Sequence, residues 1–225
     1  MRRFVFIISV LFTLIGFSQT HYDGMISIGG KAGATFSRVN FNPSVQQSMT
    51  PGMTVGVMFR YIEEKNFGLM AELNLTQRGW KESFDDAEYN YSHHFTYFEL
   101  PIMTHIFFGN NRVKGFFNLG PELNVMVGDK ASANFQYDDA ANIDYFTQNT
   151  RHIEQYTLDV KNKLDYGICA GAGMELNLNN KHSLLFEGRF YYGLTDVFAN
   201  HKTDVFASSN SMTVMVTLGY LYRLK

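Results

Sequence analysis

The chain has 225 residues, 45% of them apolar and 16% aromatic, and a net charge of −2, which argues against nucleic-acid binding and a polycationic surface. Glycine is plentiful (19), proline is scarce (4), and Phe (21) and Tyr (13) dominate the aromatics, a composition suited to strands and turns. Cys169 is the single cysteine, so an internal disulfide is excluded, and it is expected as a small residue within a strand.

The first residues read as a secretory leader. Arg2 and Arg3 form a basic start, Phe4 to Phe17 is a mostly apolar run, and Gly16 and Ser18 are the small residues before a cut ahead of Gln19. The run is shorter than the ~20 residues a helical span needs, which disfavours an uncleaved anchor. The expected division is a signal peptide over 1–18 and one domain over 19–225. No later segment is long and apolar enough to span as a helix.

Eight strands follow, each recognised by alternation of period two. The first covers Met25–Arg38, with Ile28, Ala32, Ala34 and Phe36 on one face and Lys31, Thr35 and Ser37 on the other. The second, Met53–Ile62, sets Val55, Val57 and Phe59 against Thr54 and Arg60. The third, residues 67–78, is the clearest: Phe67, Leu69, Ala71, Leu73 and Leu75 oppose Glu72, Asn74, Thr76 and Arg78. The fourth, Phe95–Phe108, turns Phe98, Leu100, Ile102 and Ile106 outward and Tyr97, Glu99 and His105 inward. Pro101 falls on its inward side, where it predicts a bulge or an unpaired position. The fifth, Lys114–Gly128, carries Glu122 and Asn124 inward. The sixth, Leu164–Leu178, carries Asp165, Cys169 and Glu175 inward. The seventh, His182–Thr195, carries Glu187 and Arg189 inward, and the last is Ser211–Leu224.

The connections sort by length. Glu63–Asn66, Gly109–Arg112 and Asn179–Lys181 are short, whereas 39–52, 81–94, 129–163 and 196–210 are long. Short turns at one end, long loops at the other and an apolar outward face predict an all-β fold. It is an eight-stranded antiparallel up-and-down transmembrane β-barrel with short periplasmic turns and long extracellular loops, placed in the bacterial outer membrane. A soluble lipocalin-like small-molecule binder is the competing architecture, and it requires an apolar lumen and a polar exterior.

A barrel of eight strands is just wide enough for side chains to fill it. Its inward charges are Lys31, Arg60, Arg78 and Arg189 against Glu72, Glu99, Glu122, Asp165, Glu175 and Glu187. Buried charges need partners, so the set reads as a salt-bridge network that plugs the lumen. A narrow ion path and a catalytic carboxylate pair are the alternatives. His93, His94, His152 and His201 sit in long loops without metal-ligand spacing, and 138–144 lacks the glycine and spacing of a calcium loop. No Gly-x-Ser-x-Gly elbow or phosphate loop is present, and Ser92-His93-His94 is the one local Ser/His cluster, so neither a cofactor, a metal nor an enzyme is expected. The third long loop carries Phe135, Tyr137, Tyr145, Phe146 and Tyr156, which either bind a partner or pack over their own barrel.

Several segments, in order, resemble one family. They are Gly30-Lys31-Ala32-Gly33-Ala34-Thr35-Phe36-Ser37, Tyr97-Phe98-Glu99-Leu100-Pro101-Ile102, Asn118-Leu119-Gly120-Pro121-Glu122, Asp165-Tyr166-Gly167 with Gly171-Ala172-Gly173, and Arg189 through Asp196. Together they are similar to the PorT-like outer-membrane barrels of Bacteroidetes. Thr35 stands where that family usually has Asn, and the chain ends without its usual final aromatic. The resemblance implies an outer-membrane barrel, and its name-giving member is tied to type IX protein secretion. The functional expectation is a non-enzymatic, monomeric barrel with a structural or partner-binding role, the alternative being an accessory of a secretion system. Its partners would be outer-membrane lipid and other envelope or secretion proteins.

Overall fold

The computed structural model describes residues 24–84, 88–136, 140, 142–148, 153–156, 158, 160, 162–198 and 206–224. The expected leader lies outside these residues. The strands are β1 (Met25–Asn42), β2 (Gln47–Ser48), β3 (Thr50–Glu64), β4 (Phe67–Glu82), β5 (Tyr91–Gly109), β6 (Val113–Ala133), β7 (Leu164–Asn177), β8 (His182–Asp196) and β9 (Ser208–Arg223). Every long strand pairs antiparallel with its sequence neighbour, and β9 returns to β1, from Ser27↔Arg223 to Asn42↔Ser208. The result is a closed ring of eight, with the short β2 continuing the line of β3 against the end of β4 through Gln47↔Glu82 and Ser48↔Lys81. Closure leaves no open edge in the ring, which is the condition for a sheet to cross hydrocarbon.

The facing follows the alternation. Leu69, Leu73, Phe98, Ile102, Leu123, Ile168, Phe186 and Leu218 are exposed on the outer wall, while Lys31, Glu72, Arg78, Glu99 and Arg189 are buried. An apolar exterior around a charged interior is the reverse of a soluble carrier, so the lipocalin-like alternative does not describe this chain. The lumen is nonetheless not uniformly polar. Met58, Met70, Met103, Phe107, Phe116, Leu185, Met215 and Leu221 fill the space between the charged groups.

The strands run past their expected ends on the long-loop side. β1 continues to Asn42, β4 to Glu82 and β6 to Ala133, and β5 begins at Tyr91, so His93 and His94 lie in a strand and not in a loop. The reason is an inversion of polarity. Through the middle of the barrel wall the outward residues are apolar (Ala32, Ala34 and Phe36 in β1). Farther along the same strand the outward ones are Arg38, Asn40 and Asn42, and the inward ones are Val39 and Phe41. β4 changes likewise from outward Leu73 and Leu75 to inward Trp80. β1 and β4 are thus each built for lipid along one part and for water along the other.

Pro101 makes no bulge. Pairing of β4 with β5 lapses after Ala71↔Ile102 and resumes in the same register at Asn74↔Glu99. Proline has no N–H to donate, and one missing ladder bond removes both intervening rungs. Pro121 acts the same way between β6 and β5, where the pairing lapses between Pro101↔Glu122 and Thr104↔Leu119. The register shift on β5 falls at Thr96/Tyr97. Among the turns, Gly109 adopts φ 137°, and a Cβ there would meet the Val113 carbonyl oxygen at 2.5 Å, so this turn requires glycine.

The outward face sets a stability test along a single strand. Leu73→Arg, in the apolar belt of β4, is expected to destabilise the barrel by about 2–4 kcal/mol, and Gln77→Arg, near the polarity change, by about 0–1 kcal/mol. Guanidinium unfolding in lipid vesicles measures both; equal losses would contradict this placement of the belt.

Candidate functional site

The structure places all ten of the charged residues expected inside, Lys31, Arg60, Glu72, Arg78, Glu99, Glu122, Asp165, Glu175, Glu187 and Arg189, in the buried interior. They form three groups along the barrel axis. Nearest the short turns, Arg60 Nη1 and Nη2 donate to Glu175 at 2.7 and 3.0 Å. At mid-height, Arg189 donates through two nitrogens to Glu72, each at 2.8 Å, and reaches Glu187 at 2.8 Å, while Lys31 Nζ lies 2.6 Å from Glu72. Asn74 Nδ2 donates to Glu72 at 3.0 Å, and Asn118 bridges Glu187 and His105 at 2.8 and 2.7 Å. Toward the long loops, Arg78 pairs with Glu99, with Glu122 at 2.6 Å and with Asp165 at 3.8 Å. Its guanidinium lies 4.1 Å from the centre of the Tyr191 ring and 5.4 Å from that of Tyr97.

Two-pronged Arg–carboxylate pairs of this kind are strong and directional. They span the lumen between strands far apart in sequence and so tie opposite walls together. Space for them is made by small residues: a Cβ on Gly171 would meet Glu187 Oε1 at 2.4 Å. Cys169 is buried within the same lumen, its Sγ 3.4 Å from the Gly120 carbonyl oxygen.

Above the third group the interior becomes aromatic. Trp80, fully buried, packs edge-on to Phe41 at 5.1 Å and against Tyr91 at 4.9 Å, and Tyr91 packs on Tyr156 at 4.7 Å. The third long connection supplies much of this cap through helix α1 (Asp144–Gln148) and a 3₁₀ turn at Glu154–Tyr156, neither of which the sequence pattern anticipates. Phe146 and Tyr156 are buried in the cluster, and Phe135 and Tyr145 are partly buried against it; Tyr137 lies outside the described residues. Phe146 and Tyr156 therefore pack into the mouth of their own barrel, with Phe135 and Tyr145 against them. The cap is pinned by Glu82, which accepts from Gln155 Nε2 and from the Tyr156 hydroxyl, both at 2.6 Å.

The histidines separate. His93 faces inward, paired with Asp129 and packed 4.5 Å from the Phe95 ring, whereas His94 is exposed on the outer wall. His152, His201 and positions 138, 139 and 141 of the acidic stretch 138–144 lie outside the described residues, and among the described residues no three metal-ligating side chains cluster. Trp80, Phe41, Val39 and Glu82 are the cap residues that strand alternation alone does not single out. Their signal is the switch of apolar positions from even to odd numbers between Phe36 and Val39, and from odd to even between Leu75 and Trp80.

A closed eight-stranded ring with an apolar wall and an ion-paired lumen has a counterpart among family models: residues 17–199 match the outer membrane protein beta-barrel domain. The chain belongs to this family. Its place is accordingly the bacterial outer membrane, with lipid around its wall. Among solved structures, it is similar to the outer membrane protein OprG from Pseudomonas aeruginosa, at 11% identity and a TM-score of 0.51, covering 91% of this chain and 97% of that one. It is also similar to Ail, the attachment invasion locus protein of Yersinia pestis, at 14% identity and a TM-score of 0.41, covering 88% and 99%. Neisserial surface protein A follows at 10% identity and a TM-score of 0.44, covering 86% and 95%. No curated protein matches the chain.

Two substitutions separate the roles of lumen and cap. Arg78→Met leaves three buried carboxylates without their cation and is expected to cost about 3–5 kcal/mol of unfolding free energy in micelles. Tyr156→Phe removes one bond to Glu82 and is expected to leave the folded barrel's gel mobility unchanged while speeding protease cleavage within 129–163. Unchanged stability for the first, or unchanged cleavage for the second, would contradict these assignments.

Proposed function

We propose that the chain is a non-enzymatic outer-membrane barrel that does not conduct through its lumen and acts through the outer surface of its capped, long-loop end in a structural or partner-binding role. The observation that carries this reading is the packing of the interior from Arg60–Glu175 to the Trp80 cap, with charged groups engaged across the lumen and aromatic rings over them. With the rings of the third connection turned inward, a partner would meet that connection's polar side and the rim strands that extend beyond the lipid belt. A second reading, an accessory role in protein secretion, rests on the ordered resemblance to PorT-like barrels, from Gly30-Lys31-Ala32-Gly33 through Arg189–Asp196.

Purified protein in planar bilayers is expected to show no sustained stepwise conductance; steady openings would overturn the closed-lumen reading. Envelope proteins captured by the full chain are expected to be lost when residues 134–162 are replaced by a short linker, with the folded barrel retained. The same set recovered by both forms would remove the cap from the binding role.

A further inference from the structure

The short-turn end holds a feature that neither the lumen network nor the cap uses. The three short turns share a chemistry: Lys65-Asn66, Asn110-Asn111-Arg112 and Asn179-Asn180-Lys181 each combine asparagine with a cation. Turn geometry accounts for part of this. Asn110 Oδ1 accepts from the amides of Arg112 and Val113 at 2.9 and 2.8 Å, and Asn179 Oδ1 from those of Lys181 and His182 at 2.8 and 3.0 Å. It does not account for the cations.

Between these turns lies a concave vestibule of about 780 Å³. Among the described residues, Lys65, Arg112, Lys114 and Arg223 line it together with six asparagines, and no carboxylate does. Lys114 lies 4.8 Å above the Phe107 ring, and its charged neighbours are Glu175, Arg60 and Arg223. Arg60 and Glu175 satisfy each other, so the positive charge of Lys114 and Arg223 stands over a neutral floor. Glu63 and Glu64 share a turn with Lys65 and are exposed, but neither lines the vestibule. None of the four cations has a carboxylate ion-pair partner among the described residues. The ion-paired lumen behind carries six carboxylates against four cations, so it adds no positive charge to that of this mouth.

Four like charges around one concavity repel unless an anion sits between them. The vestibule has the size of a small-molecule site. Guanidinium and ammonium groups with amide donors suit phosphate oxygens, and a multiply charged phosphate group answers several cations at once. We propose that this vestibule at the short-turn mouth is a binding site for a multiply charged, phosphate-bearing anion. Such a group can come from a lipid headgroup of the adjoining leaflet or from a soluble phosphorylated compound.

The test uses the full chain in a neutral detergent, with tripolyphosphate as probe in isothermal titration calorimetry at low salt. Saturable one-to-one binding is expected. It should weaken at least tenfold in the Arg112→Ala, Lys114→Ala double variant and stay unchanged in Lys81→Ala, Lys130→Ala at the opposite end. Repeating the titration in nanodiscs separates the sources. Binding kept in zwitterionic discs but lost in discs containing cardiolipin, whose headgroup carries two phosphates, assigns the site to a headgroup, and binding kept in both assigns it to a soluble ligand. Absence of saturable heat in detergent, or binding indifferent to the Arg112 and Lys114 substitutions, overturns the proposal. A gel-mobility check that the double variant is folded makes its loss of binding interpretable.

Discussion

Everything in this molecule depends on the closure of one hydrogen-bonded ring. Hydrocarbon offers no partners to a backbone N–H or C=O, so a sheet can cross it only when its last strand returns to its first. Pairing of β9 with β1 over Ser27↔Arg223 to Asn42↔Ser208 does this, and the rest follows. Closure fixes which side chains face one another across the lumen, and it leaves eight strands enclosing a space about wide enough for side chains to fill. The two prolines show how much local defect the ring absorbs. Each removes a ladder bond without shifting the register, because the neighbouring rungs hold it.

Filling that space with ions is costly unless every ion is paired, and the arrangement reflects this. Arg60 meets a residue 115 positions away, and Arg189 one 117 positions away, in bonds that cross the lumen and link walls the backbone does not connect directly. Methionines, phenylalanines and leucines occupy what remains. Charged cross-braces thus take the part that a hydrophobic core takes in a soluble barrel, because the apolar residues have been spent on the wall that meets lipid.

The same chain solves the opposite problem beyond the lipid belt. There the outside is water, and the strands exchange their faces: Val39, Phe41 and Trp80 turn in, and Arg38, Asn40 and Lys81 turn out. The aromatic cap is the small soluble core that results, and residues of the third long connection complete it. A loop rich in aromatic rings therefore packs over the mouth of its own barrel, with the cationic vestibule at the opposite end.

Strand count, facing and ten of the buried charges were legible from the sequence alone, whereas buried Glu82 was not. Alternation is a property of neighbouring residues, and the direction of Glu72 or Leu73 follows from position in the strand. The ends of the strands were not legible in the same way, because a search for outward apolar residues stops where the solvent changes, at Phe36 and Leu75, although the strands continue. Nor could sequence say that Arg60 meets Glu175 while Arg189 meets Glu72, or that Tyr156 reaches Glu82. Those pairings depend on the stagger with which eight strands close into a ring and on the path of a connection across its mouth. Both are set by contacts between residues distant in the chain, and only the tertiary structure decides them.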